Sequence, residues 1–418
     1  MNAETPLSLY IHFPWCVSKC PYCDFNSHAL REDVPGRERV PEDSYIAALV
    51  RDLARQCESQ SALIGNRRIS TVFMGGGTPS LFSPAAIGRV LEAVRGGPGL
   101  TENAEVTLEA NPGTIERGRF AEYAAAGVNR VSLGAQSFDA SALQKLGRIH
   151  SADETRAAAD ELHAAGLLNF NIDLMYGLPE QNEAGALRDI EAALALSPAQ
   201  ISHYHLTLEP GTPFAARPPA GLPVDDEVSR MLDMTSGRLA QAGYRRYEVS
   251  AYAREGFDCA HNLVYWSFGD YLGIGAGAHG KLSGLRADGT LSVVRSLQPR
   301  EPRRYQRDPD GAILWSGVEE DQRPFEFMLN ALRLTAGFET DLFERRTGVA
   351  WESVDPLVRR LMARGLLTRS ESVGSGVRVL ATPLGFQFLN EVLLEFLPGD
   401  GAETMHSEQK SSPSSHIT

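Results

Sequence analysis

Three cysteines fall within eight residues of the stretch "IHFPWCVSKCPYCDF", at Cys16, Cys20 and Cys23, and Phe25 stands where a fourth would have followed. Thiolates suit soft metals, and an iron–sulfur cluster held by cysteine alone normally uses four of them. Three would leave one iron open to an outside ligand. A structural zinc site is the other reading of the spacing, with His12 or His28 as the fourth ligand. Cys57, in "LARQCESQ", and Cys259 stand apart from this group and are not expected to join it. Five cysteines in 418 residues, an odd number, do not make a disulfide framework.

Two further stretches carry residue types that chemistry uses. "MGGGTPS", residues 74 to 80, lacks the lysine of a phosphate loop and the spacing of a dinucleotide fingerprint. Its glycines either let the backbone approach a ligand closely or simply make a turn. "HNLVYW", residues 261 to 266, sets a histidine beside two aromatic rings. Such a group can ligate heme iron and stack on a flat macrocycle, or it can cap a turn and fill space between domains. His203 and His205, on one face of a strand, are read as structural.

The elements that must position these residues alternate along the chain. "SLYIHF", "STVFMGGG", "AEVTLEAN", "RVSLGAQSF", "NFNIDLMYG" and "QISHYHLTLEP" read as strands, separated by helices such as "SYIAALVRDLARQC" and "AAIGRVLEAVR". Crossovers of that length imply parallel pairing, and six units imply an α/β fold of the incomplete (β/α)6 barrel kind. Side chains alternate across a strand, so Glu105, Thr107, Glu109 and Asn111 share one face opposite Val106, Leu108 and Ala110. Arg130, Ser132 and Gln136 repeat the pattern, as do Asn169, Asn171 and Asp173. A polar inner face left dry would cost about 1 to 3 kcal/mol per unpaired group, so these faces imply a lumen holding water or a polar ligand. The cysteine loop follows the first strand, at the end where such barrels carry their chemistry.

The division expected is a partial barrel over 1–243, a connecting segment over 244–300 that contains HNLVYW, a helical, winged-helix-like domain over 301–397 and a disordered tail over 398–418. The stretch "AHNLVYWSFGDYLGIGAGAHG" reads as irregular, and a helical region is expected after it. A net charge of −13 and the lack of a basic stripe argue against nucleic-acid binding, even for a winged-helix-like domain. No apolar run approaches a membrane span, and "MNAETPLSLY" is unlike a signal peptide, so a cytoplasmic location is expected.

"CVSKCPYC" resembles the three-cysteine motif of the radical S-adenosylmethionine (radical SAM) superfamily, and "YIHFPWC" and "GGGTPS" resemble its HemN/HemW branch, from about Ser8 to Leu397. The resemblance implies a 4Fe–4S cluster on Cys16, Cys20 and Cys23, with the methionyl end of S-adenosylmethionine on the open iron. It implies S-adenosylmethionine contacts at Tyr10, Tyr22, Gly76, Gly77, Thr78, Glu109, Gln136, Arg148 and Asp173. Oxidase members of the branch resemble one another in a fourth cysteine at the position of Phe25 and in an N-terminal extension, which this sequence lacks. "CPYCDF" and "HNLVYW" resemble the heme-chaperone members instead. That likeness implies heme as cargo, with His261, Tyr265 and Trp266 as heme contacts, delivery to acceptors that include respiratory and membrane-associated proteins, and an electron donor for the cluster. It assigns no catalytic residue. The alternative it leaves is an oxygen-independent coproporphyrinogen III oxidase that decarboxylates propionates.

Overall fold

The computed structural model describes residues 5–30, 39–113, 118–307, 313–371 and 376–398. The six strand–helix units form as the apolar pattern requires. Strands β1 (Leu7–Phe13), β2 (Ile69–Gly76), β3 (Leu100–Ala110), β4 (Arg130–Gln136), β5 (Phe170–Tyr176) and β6 (Gln200–His205) run parallel, each beside the next. Between them, α1 (Glu42–Ser59), α2 (Pro84–Gly96), α3 (Phe120–Ala126), α4 (Ala152–Ala164) and α5 (Glu183–Ala195) press apolar stripes onto the outer face of the sheet. Ser83, Ser151 and Asn182 start α2, α4 and α5 by accepting a backbone N–H, the usual remedy for the unpaired first turn.

The outer face is where Val106, Leu108, Val131, Leu133, Ile172 and Leu174 meet helix residues such as Leu49, Val90, Leu162 and Ile190 in one core. The alternate positions Glu109, Asn111, Arg130, Ser132, Asn171 and Asp173 face an internal cavity. The sheet does not close: it has twelve strands in a row, with Leu314–Gly317 at one end and Arg245–Arg246 at the other.

The segment 244–300 differs from the expectation, because it extends the sheet at both edges instead of merely connecting domains. β7 (Ala251–Ala253) pairs antiparallel with β6, and α6 (Ala260–Trp266) then carries HNLVYW across to the other edge. There β8 (Asp270–Ile274) lies parallel beside β1, followed by the antiparallel β9 (His279–Leu285) and β10 (Leu291–Leu297) where a helical region was expected. Glycine explains why this stretch reads as irregular. A Cβ at Gly273 would lie 1.8 Å from the His279 carbonyl oxygen, and one at Gly280 would lie 2.4 Å from the Ser296 hydroxyl. The missing side chains allow the strands to approach rather than marking a loop.

Beyond it, helices α7 (Arg323–Ala331), α8 (Thr340–Thr347) and α9 (Asp355–Ala363) precede a hairpin of β11 (Leu367–Glu371) and β12 (Val377–Ala381), the order expected. Phe327, Phe338, Phe343, Val358, Leu361 and Val379 form a second core there. The single last helix expected is two, Pro383–Gln387 and Leu389–Leu394, broken at Phe388. The tail expected over 398–418 lies outside the described residues from 399 on.

Candidate functional site

The cysteine loop leaves the end of β1 and is tied down from several sides. The Gly77 and Thr78 N–H groups donate to the carbonyls of Phe13 (2.8 Å) and Trp15 (2.7 Å). Lys19 Nζ donates to the carbonyls of Phe25 (2.9 Å) and Ser27 (3.2 Å), and Asn26 Nδ2 donates to those of Ala276 and Arg300 (both 2.8 Å). Cys16, Cys20 and Cys23 are all free thiols on the cavity wall. Arg148 reaches Cys20 Sγ at 3.6 Å and is otherwise anchored by Asn111 Oδ1 (2.5 Å) and the Gly134 carbonyl (2.7 Å). Burial pushes the Cys16 thiol up to about 11 and that of Cys23 upward too, so thiolates here call for a cationic partner such as iron, beside the Arg148 charge.

The glycine run does more than turn the chain. Gly76 has φ of +100°, and a Cβ there would lie 2.1 Å from the His12 ring; a Cβ on Gly75 would lie 2.8 Å from the Glu109 carboxyl, and one on Gly77 2.5 Å from the Phe13 carbonyl. Each glycine is required by protein already packed against it. His12 is buried, with its pKa lowered by burial to about 4. Its Nδ1 is bonded to Tyr10 Oη (3.0 Å) and its Nε2 to the Asn26 carbonyl (3.0 Å), so it is not placed as a fourth metal ligand. Among the described residues no three His, Cys, Asp or Glu side chains converge on a point that would hold a single ion.

The cavity, about 540 Å³, runs from the cysteine loop into the lumen. Tyr22, Gly76, Gly77, Thr78, Glu109, Gln136, Arg148 and Asp173 all line it. Tyr10 does not: its hydroxyl points to His12 and its ring stacks on Phe73 at 6.4 Å. Glu109 accepts from the Gly76 N–H at 3.0 Å, and burial, aided by repulsion from Asp173, pushes its carboxyl up to about 8. Asp173 accepts from Ser132 Oγ (3.0 Å) and Asn171 Nδ2 (2.8 Å), and burial raises it as well. Gln136 holds φ of +65°, a conformation side chains seldom adopt, at an irregularity in the β4–β5 register. Two buried acids that burial pushes upward despite the nearby Arg130 charge, and three thiols at one cavity end, fit a ligand that carries both positive charge and metal-chelating groups.

HNLVYW divides between lumen and packing. His261 is 1% exposed; its Nδ1 is bonded to Thr71 Oγ1 (2.8 Å) and its Nε2 to Tyr265 Oη (3.1 Å), and burial lowers its pKa to about 3. Tyr265 stands edge-on to His261 and Tyr271, and the Arg333 guanidinium lies 4.4 Å above the Trp266 ring. His261, Tyr265 and Trp266, expected to face heme, are thus buried with no imidazole nitrogen free. The residue of this motif that lines the cavity is Asn262. Sequence reasoning passed over it, and also Ser202 and Tyr204, whereas Arg130, Ser132 and Asn171 stand on the cavity wall as their strand faces implied. Strand alternation carries the signal for all but Asn262, since Ser202 and Tyr204 share a face just as Arg130 and Ser132 do. Of the two histidines read as structural, His203 is buried against Tyr176, whereas His205 lines the cavity.

Comparison with known proteins agrees with this geometry. The Radical SAM superfamily model matches residues 10–193 and the HemN C-terminal domain model residues 318–388. The chain is 44% identical over 394 residues to "Heme chaperone HemW" of Escherichia coli (strain K12), covering 94% of this chain and 98% of that one. Identity to the HemW of Haemophilus influenzae is likewise 44% with the same coverage. A mouse relative, "Radical S-adenosyl methionine domain-containing protein 1, mitochondrial", is 35% identical, covering 95% of this chain and 88% of its own. Among solved structures, coproporphyrinogen III oxidase (HemN) from Escherichia coli superimposes with a TM-score of 0.74 at 24% identity, covering 94% and 90% of the two chains, which shows the shared fold.

Proposed function

Because the chain belongs to the HemW family of the radical SAM superfamily, we propose that it is a heme chaperone that holds a 4Fe–4S cluster and S-adenosylmethionine and passes heme to acceptor proteins. The observation that carries the reading is the three-thiol loop, with Phe25 in place of a fourth cysteine, opening onto a polar lumen in a chain that matches HemW almost end to end.

In this reading Cys16, Cys20 and Cys23 hold the cluster and Arg148 offsets part of its negative charge near Cys20. Bound there, the cluster would supply an open iron site for the methionyl amino and carboxylate groups, and an electron. Glu109 and Asp173 would receive the ligand's cationic and hydroxyl groups, each of which relieves a carboxyl that burial pushes upward. Gln136 and Thr78 line the same stretch of wall. Tyr10 acts one step back, by fixing His12 and through it Asn26 and the loop.

Heme contact by His261, Tyr265 and Trp266 would require the imidazole to leave Thr71 and Tyr265. With those bonds in place their role is to brace α6 against β2, with the heme iron liganded from elsewhere. An electron donor for the cluster, heme acceptors in respiratory membranes and a cytoplasmic location complete the proposal. Among the described residues no helix is long and apolar enough to cross a membrane, so delivery to such acceptors would occur at their surface. Anaerobically reconstituted protein titrated with hemin should form a Soret-absorbing complex at one heme per chain, and radiolabelled heme carried by it should appear in heme-depleted respiratory membranes. No saturable hemin binding would end the chaperone reading.

A further inference from the structure

The far end of the lumen from the cysteines is chemically unlike the mouth. Arg130 lies there with its side chain only 3% exposed. Its Nη1 donates to Thr107 Oγ1 (3.3 Å) and its Nη2 to Gln200 Oε1, but Nε makes no hydrogen bond. The nearest carboxylate oxygen to Nε is that of Glu105 at 3.9 Å, and Glu105 is already engaged by the Ala260 N–H (3.1 Å) and the His261 N–H (3.0 Å) at the start of α6. Beside Arg130 on the same wall are Tyr247, 2% exposed, whose hydroxyl accepts from the Cys259 N–H at 3.4 Å, and Asn262, whose carboxamide makes no hydrogen bond within the described residues. A buried guanidinium N–H with no hydrogen-bond acceptor, a buried phenol and the half-buried Asn262 carboxamide thus line the same cavity. A buried donor left unmade costs about 1 to 3 kcal/mol, more when charged, so Arg130 Nε, with two further polar side chains on the same wall, points to an acceptor in the bound state. A carboxylate suits Arg130 Nε, because Glu105, its ion-pair partner at 3.9 Å, is too far to accept a hydrogen bond from it and is engaged by the N–H groups at the start of α6.

We propose that Arg130, Tyr247 and Asn262 form a carboxylate subsite at the lumen floor that receives a propionate of the heme cargo. The assignment to heme rests on the chaperone reading; the subsite itself rests on the unbonded Arg130 Nε and the two polar side chains that share its cavity. It also gives the HNLVYW segment a contact with cargo through Asn262, with Glu105 as the positioning residue that holds α6 in place.

The test is to titrate reconstituted protein with hemin and with hemin dimethyl ester, whose propionates are masked. The parent should prefer hemin by about tenfold or more, the range for a charge-assisted hydrogen-bonded carboxylate. Asn262→Ala should lessen that preference at least threefold and Arg130→Gln should abolish it, with the Soret position and cluster content of the parent retained. If Arg130→Gln fails to fold, Asn262→Ala still decides. Equal binding of the two hemins by the parent overturns the proposal, as does a preference that survives in Asn262→Ala. A site for a free small carboxylate would instead take propionate over propionamide in calorimetry while both hemins bind alike, and that result overturns the assignment to cargo. A parent that binds no hemin at all removes the chaperone reading, which is a different result from any of these.

Discussion

Glu109 should give up its proton when S-adenosylmethionine binds. Burial, with Asp173 adding repulsion, raises its carboxyl from 4.5 to about 8 against the pull of the Gly76 N–H and Arg130. At pH 7 a group of that pKa is about 90% protonated, and at pH 9 about 10%. An ammonium or sulfonium beside it reverses the balance, because an opposite charge favours the ionised form. Binding should therefore release about 0.9 proton at pH 7 and about 0.1 at pH 9. Calorimetric titrations of the reconstituted protein in buffers of different ionisation enthalpy measure that number directly, and Glu109→Gln should remove it. The same shift sets a sign for stability. The folded carboxyl binds its proton more tightly than the unfolded one, so its contribution is fully present below pH 4.5 and is lost as pH rises through about 8. Glu109→Gln should flatten that dependence in urea melts of the ligand-free protein. Release of no proton by the parent at pH 7, or equal release by the variant, would refute the placement of a cation at Glu109.

Serine at Cys16, Cys20 or Cys23 should abolish the broad visible absorption and the iron and sulfide content of the reconstituted protein, whereas Cys57→Ser should retain both. Asp173→Ala should weaken S-adenosylmethionine binding in equilibrium dialysis while leaving the cluster in place; unchanged affinity would return Asp173 to a structural role. Gly76→Ala, at φ of +100° with a Cβ 2.1 Å from His12, should destabilise the protein measurably in urea. Left-handed strain of about 1 to 2 kcal/mol and overpacking of about 1 to 3 together give about 2 to 5 kcal/mol, and a melt superimposable on the parent's would show that the turn tolerates a side chain.

The barrel was legible because its strands alternate so cleanly: the face that holds Val106 and Leu108 is core, and the face that holds Glu109 and Asn111 is lumen. The same alternation placed Asp173 and Gln136 on the wall. It failed for Tyr10, whose face is set by parity but whose hydroxyl is taken by His12, a contact two residues away that no period reveals. It failed again over 270–297, where Gly273, Gly275 and Gly280 mimic a loop signal although they serve close strand approach. His261 was misleading for a different reason. A histidine beside aromatics has the same local sequence whether it waits for a metal or braces a helix, and only the long-range partner Thr71 separates the two. Asn262 carried no pattern at all, because its exposure to the lumen depends on Glu105 holding α6 from a strand more than 150 residues earlier.

The role proposed for this chain is to carry heme rather than to make porphyrin. It is tested most directly by incubating the reconstituted protein anaerobically with S-adenosylmethionine, a reductant and coproporphyrinogen III, then analysing the tetrapyrroles. Coproporphyrinogen III should be recovered unchanged, from a sample that still binds hemin at one per chain. Protoporphyrinogen IX formed over many turnovers would contradict it.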